Sequence, residues 1–368
     1  MKIAFRVDAS VQIGTGHVMR CLTLADELTR QGHECRFVCR EHEGHLADLT
    51  ASKGYGLTLL PAPSGNELGA RDSNSDDYAL WLGVPWQKDA RQTLDALEPQ
   101  KPDWLVVDHY ALDAEWERVL ASAVGNIMVI DDLANRPHEC AMLLDQNHGR
   151  ETSDYDELLS AGCQRLIGPR YALLRPEFSE LRQQSLNRRQ HFELKRILIS
   201  LGGVDRTNVT GQVLETLKEL ALPSNIELDI IMGAAAPYLD EVRQQTDRLP
   251  FKASVSVNVK DMAERMCLAD LSVGAPGGTS WERCCLGLPS VLVVLAENQV
   301  RGAIALEKSG AALTINSVTK IKATLASIVL DISVSGRLKK MSEAAAGITD
   351  GSGVFRAVDV INNACERG

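Results

Sequence analysis

Gly14-Thr15-Gly16-His17 joins an apolar run, residues 1–7, to an amphipathic run, residues 18–31, closed by Gly32. That order reads as strand, glycine turn, helix. Glycines leave room for a ligand to approach the backbone, which makes Gly16 a candidate binding position. His17 then stands at the helix mouth, where the partial positive charge of a helix N-terminus favours neutral imidazole over imidazolium. A neutral imidazole beside a cleft is a competent general base, so His17 is the candidate catalytic residue. Its competing roles are helix capping and core packing. The pattern is not Gly-x-Gly-x-x-Gly, because Met19 occupies the third place, so a dinucleotide fingerprint is weak.

A second stretch carries a different chemistry. Residues 269–273 form an apolar run, followed by Gly274-Ala275-Pro276-Gly277-Gly278-Thr279-Ser280-Trp281-Glu282. Free backbone N–H groups, two hydroxyls and a helix start make a diphosphate cradle from Gly278, Thr279 and Ser280. Glu282, one turn further on, is able to accept two hydrogen bonds from a ribose diol. The competing reading is a helix capped by Thr279 or Ser280, with Glu282 complementing the dipole. The apolar run 290–295 ends in Glu297-Asn298-Gln299, whose neutral amides Asn298 and Gln299 suit hydroxyls, N-acetyl groups or a water. Apolar residues 104–107 end in Asp108-His109-Tyr110. Asp108 reads as substrate-binding or as a cap for the next helix, and Tyr110 as a site residue or plain packing.

These residues need a scaffold that gathers strand ends. Strands are expected at residues 34–39, 57–60 and 126–131, with a helix over 86–97. Strand–helix alternation implies a mostly parallel sheet, in which ligands bind beyond the carboxyl ends of the strands. A polar helix over 176–194 precedes a new apolar strand, 196–201, and then Gly202-Gly203-Val204-Asp205. The layout of the opening repeats here. The expected domains are therefore 1–190 and 191–368, with the last helix packing back on the first. Residues 62–78 read as loop, and the stretches 60–85 and 145–190 as extensions without an assigned role.

Composition bounds the partners. The chain has 368 residues, a formal net charge of −10 and a pI near 5.4. No Lys/Arg-rich block suggests nucleic acid, and no apolar run approaches membrane-spanning length. The nine cysteines are scattered with no Cys-x-x-Cys, which points to free thiols in a reducing cytoplasm.

Together, Gly14-x-Gly16-His17-x-x-Arg20, Val107-Asp108-His109-Tyr110, Ser200-Leu201-Gly202-Gly203-Val204-Asp205, Gly277-Gly278-Thr279-Ser280-Trp281-Glu282 and Glu297-Asn298-Gln299 resemble the UDP-2,4-diacetamido-2,4,6-trideoxy-β-L-altropyranose hydrolases of pseudaminic acid biosynthesis. These are relatives of the GT-B glycosyltransferases. The resemblance implies an α/β protein of GT-B type, with two Rossmann-like domains facing across a cleft and a UDP-sugar between them. It implies His17 as the general base, and Tyr110 and Asn298 lining the sugar and water site. Gly203, Gly278, Thr279 and Ser280 would contact the diphosphate, Glu282 the ribose, and residues 259–262 the uracil. Gly16, Asp108 and Gln299 complete the substrate-binding set. The implied reaction is attack of water at the anomeric carbon with inversion, with no metal and no cofactor. The alternatives are a GT-B glycosyltransferase using a UDP-sugar donor, a UDP-sugar 2-epimerase, and a non-catalytic nucleotide-sugar binder.

Overall fold

The computed structural model describes all residues except 64–77, 99, 192, 221 and 366–368. Most of the expected loop 62–78 therefore lies outside the described residues. The chain divides into two compact units, Met1–Leu173 with Val354–Gly368, and Leu174–Gly353.

The first unit is built on seven parallel strands: β1 (Lys2–Val7), β2 (Glu34–Arg40), β3 (Gly56–Leu60), β4 (Trp104–Asp108), β5 (Asn126–Ile130), β6 (Met142–Asp145) and β7 (Gln164–Ile167). Their order is β3-β2-β1-β4-β5-β6-β7. Strands β1 and β4 are buried along nearly their whole length, as expected of a parallel sheet covered on both faces. One face packs Phe5, Phe37, Val106 and Met128 against Val18, Cys21, Leu22 and Leu28 of helix Gly16–Arg30. The other packs Ala4, Val38, Leu105 and Val129 against Trp116 and Leu120. The last helix, Gly353–Cys365, contributes Val354, Ala357, Val358 and Ile361 to the first of these cores.

The second unit holds β8 (Arg196–Ser200), β9 (Glu227–Met232), β10 (Lys252–Val257), β11 (Leu271–Gly274), β12 (Ser290–Val293) and β13 (Ala312–Ile315). They are again parallel, in the order β10-β9-β8-β11-β12-β13. Both sheets reverse direction once, at β1/β4 and at β8/β11. A crevice opens beyond the carboxyl ends of the strands at such a switch point.

The division falls at Leu173/Leu174 rather than near residue 190. The polar helix Pro176–Arg188 belongs to the second unit because its charged and hydroxyl groups satisfy carbonyls there. The Arg182 guanidinium donates to the carbonyls of Cys285, Ala346 (2.7 Å) and Thr349 (3.1 Å), and Ser185 Oγ donates to Leu286 O at 2.7 Å. Buried Arg189 donates to the carbonyls of Met266, Cys267 and Ala269. The stretch 145–190 is also not a plain extension: it carries the end of β6, all of β7 and this helix.

Candidate active site

Register brings the first constellation together. Val7, the last residue of β1, pairs with Asp108, the last residue of β4. Gly14 takes φ +80°, a conformation that costs a side-chain-bearing residue, and closes the turn leading into helix Gly16–Arg30. Thr15 at the helix start makes no side-chain cap, and neither does His17. His17 instead points its Nδ1 at Asp108 Oδ1, 2.6 Å away. Arg20, one turn along the same helix face, holds Asp108 with a bidentate fork: Nε to Oδ2 at 2.6 Å and Nη2 to Oδ1 at 2.7 Å. Its Nη1 reaches Asp132 Oδ2 at 2.6 Å, and the Tyr110 hydroxyl donates to that same oxygen at 2.8 Å.

Asp108 is completely buried. Burial alone would push its carboxyl up, but the Arg20 charge, then the His17 ring, outweigh it and hold it far below the usual carboxylate range. An ionised carboxylate at 2.6 Å accepts a proton carried on Nδ1, which leaves Nε2 as the ring nitrogen not engaged by Asp108. Nε2 has no hydrogen-bond partner among the described residues, and the side chain keeps 10% of its surface exposed. Asp108 was expected to touch substrate or to cap the following helix. Its oxygens are taken by His17 and Arg20, and the following helix, Ala114–Leu120, is capped by Asp113 instead. Asp108 lies behind the histidine, on the Nδ1 side of the ring.

Tyr110 is 8% exposed, and burial followed by the neighbouring Asp132 keeps its phenol well above the ordinary value. Its proton is committed to Asp132, so its oxygen faces any ligand as an acceptor. His109, between the two, points elsewhere. It accepts the Ala111 N–H on Nδ1 and turns Nε2 toward buried Asp8, 3.5 Å away. Burial lowers its pKa to about 4 and keeps it neutral. Gly16 lies exposed, and a Cβ there would meet no atom within 4 Å. Sequence reasoning gave no role to Arg20 or Asp132. Their signal was present in the helical spacing of His17 and Arg20 and in the strand-end position of Asp132.

The second constellation lies on the second unit. Ser200 pairs with Gly274, and Gly274 with Leu292. The turns after β8, β11 and β12 therefore share one sheet edge. At Gly233, after β9, a Cβ would stand 2.0 Å from the Gly203 carbonyl oxygen, so the glycine turn of β8 requires a bare backbone there. Gly203, Gly278 and Thr279 are exposed. Helix Thr279–Cys285 starts without a side-chain cap, which removes the capping reading.

Ser280 departs from the expectation of a diphosphate contact. It is buried, and its hydroxyl accepts from Arg283 Nη2 at 3.0 Å. Arg283, itself buried, also donates to Ala275 O at 2.8 Å and so pins the turn from within. Burial brings the pKa of this guanidinium down to about 10. Glu282 keeps 17% of its side chain exposed, 4.0 Å from Arg175. Burial pushes its carboxyl up to about 7, against the lowering effect of Arg175 and Arg283. Asn298 is exposed, whereas Gln299 turns its Oε1 back to accept the Leu295 N–H at 2.9 Å.

The chain's one Asp-x-Asp triplet, Asp154-Tyr155-Asp156, is spent on structure. Asp154 accepts the Glu151 N–H and Asp156 pairs with Arg165. Among the described residues no group of three His, Cys, Asp or Glu side chains has the geometry to hold a metal ion. No helix among them is long and apolar enough to cross a membrane.

Comparison with known proteins places this architecture. Residues 197–354 match the glycosyltransferase family 28 C-terminal domain. An uncharacterized protein of Methanocaldococcus jannaschii is 26% identical over 308 residues, 82% of this chain and 57% of that protein. The match therefore spans little more than half of that relative's length. The UDP-2,4-diacetamido-2,4,6-trideoxy-β-L-altropyranose hydrolase of Campylobacter jejuni is 28% identical over 244 residues, 66% of this chain and 74% of the hydrolase. Among solved structures, MurG of Acinetobacter baumannii superposes with a TM-score of 0.72 at 15% identity, covering 98% of this chain and 99% of that one. The chain has the GT-B fold, two Rossmann-like α/β units, and its residues 197–354 are similar to the glycosyltransferase family 28 C-terminal domain.

Proposed function

We propose that the protein hydrolyses a UDP-linked diacetamido-trideoxy-hexose, of the type named for the Campylobacter jejuni relative, to UDP and free sugar. The observation that carries this reading is the His17–Asp108 pair: a buried carboxylate fixes Nδ1 and leaves Nε2 without a partner among the described residues. In the proposed reaction, Nε2 takes a proton from water as the oxygen attacks the anomeric carbon. The bond from that carbon to the diphosphate oxygen breaks on the opposite face, with inversion, and its electron pair leaves with UDP. Asp108 stabilises the imidazolium that forms, and Arg20 keeps Asp108 ionised. The exposed turn at Gly203, Gly278 and Thr279 supplies backbone N–H groups for the growing diphosphate charge. Glu282 takes the ribose diol and Asn298 lines the sugar and water site. No step is routed through a metal or cofactor.

The match to a glycosyltransferase domain favours a second reading, transfer to an acceptor alcohol in place of water. Incubation with UDP-2,4-diacetamido-2,4,6-trideoxy-β-L-altropyranose alone in heavy-oxygen water separates the two. UDP release with the label on the sugar is the expected result. No release without an added alcohol turns the reading to transfer, and label on the UDP phosphate overturns attack at carbon.

A further inference from the structure

Three aromatic rings cluster beside the imidazole of His17. Tyr110 stands edge-on to the imidazole with centroids 4.7 Å apart, and Trp81 stacks on Tyr110 at 5.6 Å and 26°. Tyr78 meets Trp81 edge-on at 4.8 Å and Tyr110 at 5.1 Å, and Trp81 lies 6.4 Å from His17. Tyr78 and Trp81 come from the short helix Ala79–Leu82 and the residue before it, outside the sheet. Both are half-buried, so the cluster is not closed core: it offers an apolar surface at the edge of a site otherwise made of charge. Aromatic faces pack well against C–H groups and methyls and gain nothing from hydroxyls that must shed water to reach them. Beside them the Tyr110 oxygen, its proton given to Asp132, accepts and does not donate.

This wall lies against the same imidazole that serves as base in the proposed reaction. We propose that Trp81, braced by Tyr78 and Tyr110, is the specificity-determining residue of the sugar site. It packs against the methyl-bearing face of an N-acylated deoxy-hexose and selects it over a fully hydroxylated one. The proposal rests on the reading of His17 as the sugar-side base, but its test needs no turnover.

Calorimetric titration in a His17→Asn background, with and without Trp81→Ala or Trp81→Phe, uses three probes: UDP-2,4-diacetamido-2,4,6-trideoxy-β-L-altropyranose, UDP-glucose and UDP. Trp81→Ala is expected to weaken the diacetamido sugar nucleotide about tenfold or more, while UDP-glucose and UDP change by about twofold or less. Trp81→Phe should keep most of the preference. An unchanged affinity ratio between the two sugar nucleotides, equal weakening of all three probes, or no binding of the diacetamido probe overturns the proposal. Should Trp81→Ala melt early, saturation-transfer NMR on the His17→Asn protein decides: the acetyl and C6 methyl protons must receive saturation from aromatic protons, and failure to do so overturns it. If these binding results hold while the wild type releases no UDP in water, the wall stands and the hydrolytic reading falls.

Discussion

At the scale of single residues, the first constellation is a set of commitments. Asp108 gives its oxygens to His17 and Arg20, Arg20 spans to Asp132, and Tyr110 closes the line. His17→Ala should lower the rate of UDP release by about 10²- to 10⁴-fold, the contribution of a positioned general base. Asp108→Asn should lower kcat by roughly 10²-fold with little change in KM, because it disturbs the orientation of the base and not the ligand. Steady-state UDP release checks both, and a rise in KM alone after Asp108→Asn would return Asp108 to the substrate-binding set. Glu282 makes a prediction of its own. Its folded-state pKa of about 7 lies above the ordinary 4.5. Between those values the native protein holds a proton that the unfolded chain has lost, so this group's contribution to stability falls as pH rises and the cost is complete above about 7. Glu282→Gln should stabilise the protein by up to roughly 3 kcal/mol at pH 8 and by almost nothing at pH 4. Thermal melts at the two pH values test it. UDP affinity should drop about tenfold in the same variant, as expected from loss of one charged hydrogen-bond acceptor. The sequence exposed His17 through its turn and Glu282 through its helix start. It did not show that Asp108 lies behind the histidine, because that depends on the pairing of Val7 with Asp108 across two strands a hundred residues apart.

At the scale of elements, strands with unbroken apolar runs were legible and those without were not. β8, within one residue, and helix Trp86–Leu97 fall on the expected residues because period and length both speak for them. Of the four-residue strands, β11 and β12 lie in apolar runs that end in recognisable polar or glycine turns, whereas no strand is expected at β6, β7 or β13. They exist because neighbouring strands and covering helices offer them a ladder. Likewise the Ala275–Gly278 turn was legible as glycine-rich, but the buried Arg283 that shapes it was not, since a guanidinium in a core becomes sensible only once three-dimensional partners are at hand. The turn after β8 has a similar hidden support in Gly233. Gly233→Ala drives a methyl into the Gly203 carbonyl and should displace that turn, at a cost of about 1–3 kcal/mol of overpacking. UDP affinity should fall about tenfold, while His17 and its neighbours, on the other unit, keep their arrangement. Calorimetric titration with UDP beside the two-dimensional NMR spectrum of the histidine rings reads both halves; unchanged UDP binding would detach the β8 turn from the nucleotide.

At the scale of the molecule, two parallel sheets with one reversal each in strand order, at β1/β4 and β8/β11, carry their glycine-rich turns at the carboxyl ends of β1, β8 and β11. The boundary moved by one helix because Pro176–Arg188 reads as solvent-facing by its charges, yet spends them on the carbonyls of the second unit. The chain also closes on itself, since the last helix supplies Val354, Val358 and Ile361 to the core of the first unit, each 1% exposed or less. Burying three such side chains is worth about 5–9 kcal/mol, comparable with the whole stability of a domain. Ending the chain at Ser352 should therefore unfold the first unit selectively. The second unit, whose core of β8, β9, β11 and β12 residues receives nothing from that helix, should keep its own melting transition. Differential scanning calorimetry of the full and shortened chains tests this: the shortened chain should lose part of the unfolding heat and retain a transition that UDP still raises. A single transition lost as a whole would mean instead that the second unit cannot stand without the first, and that the two cores fold as one.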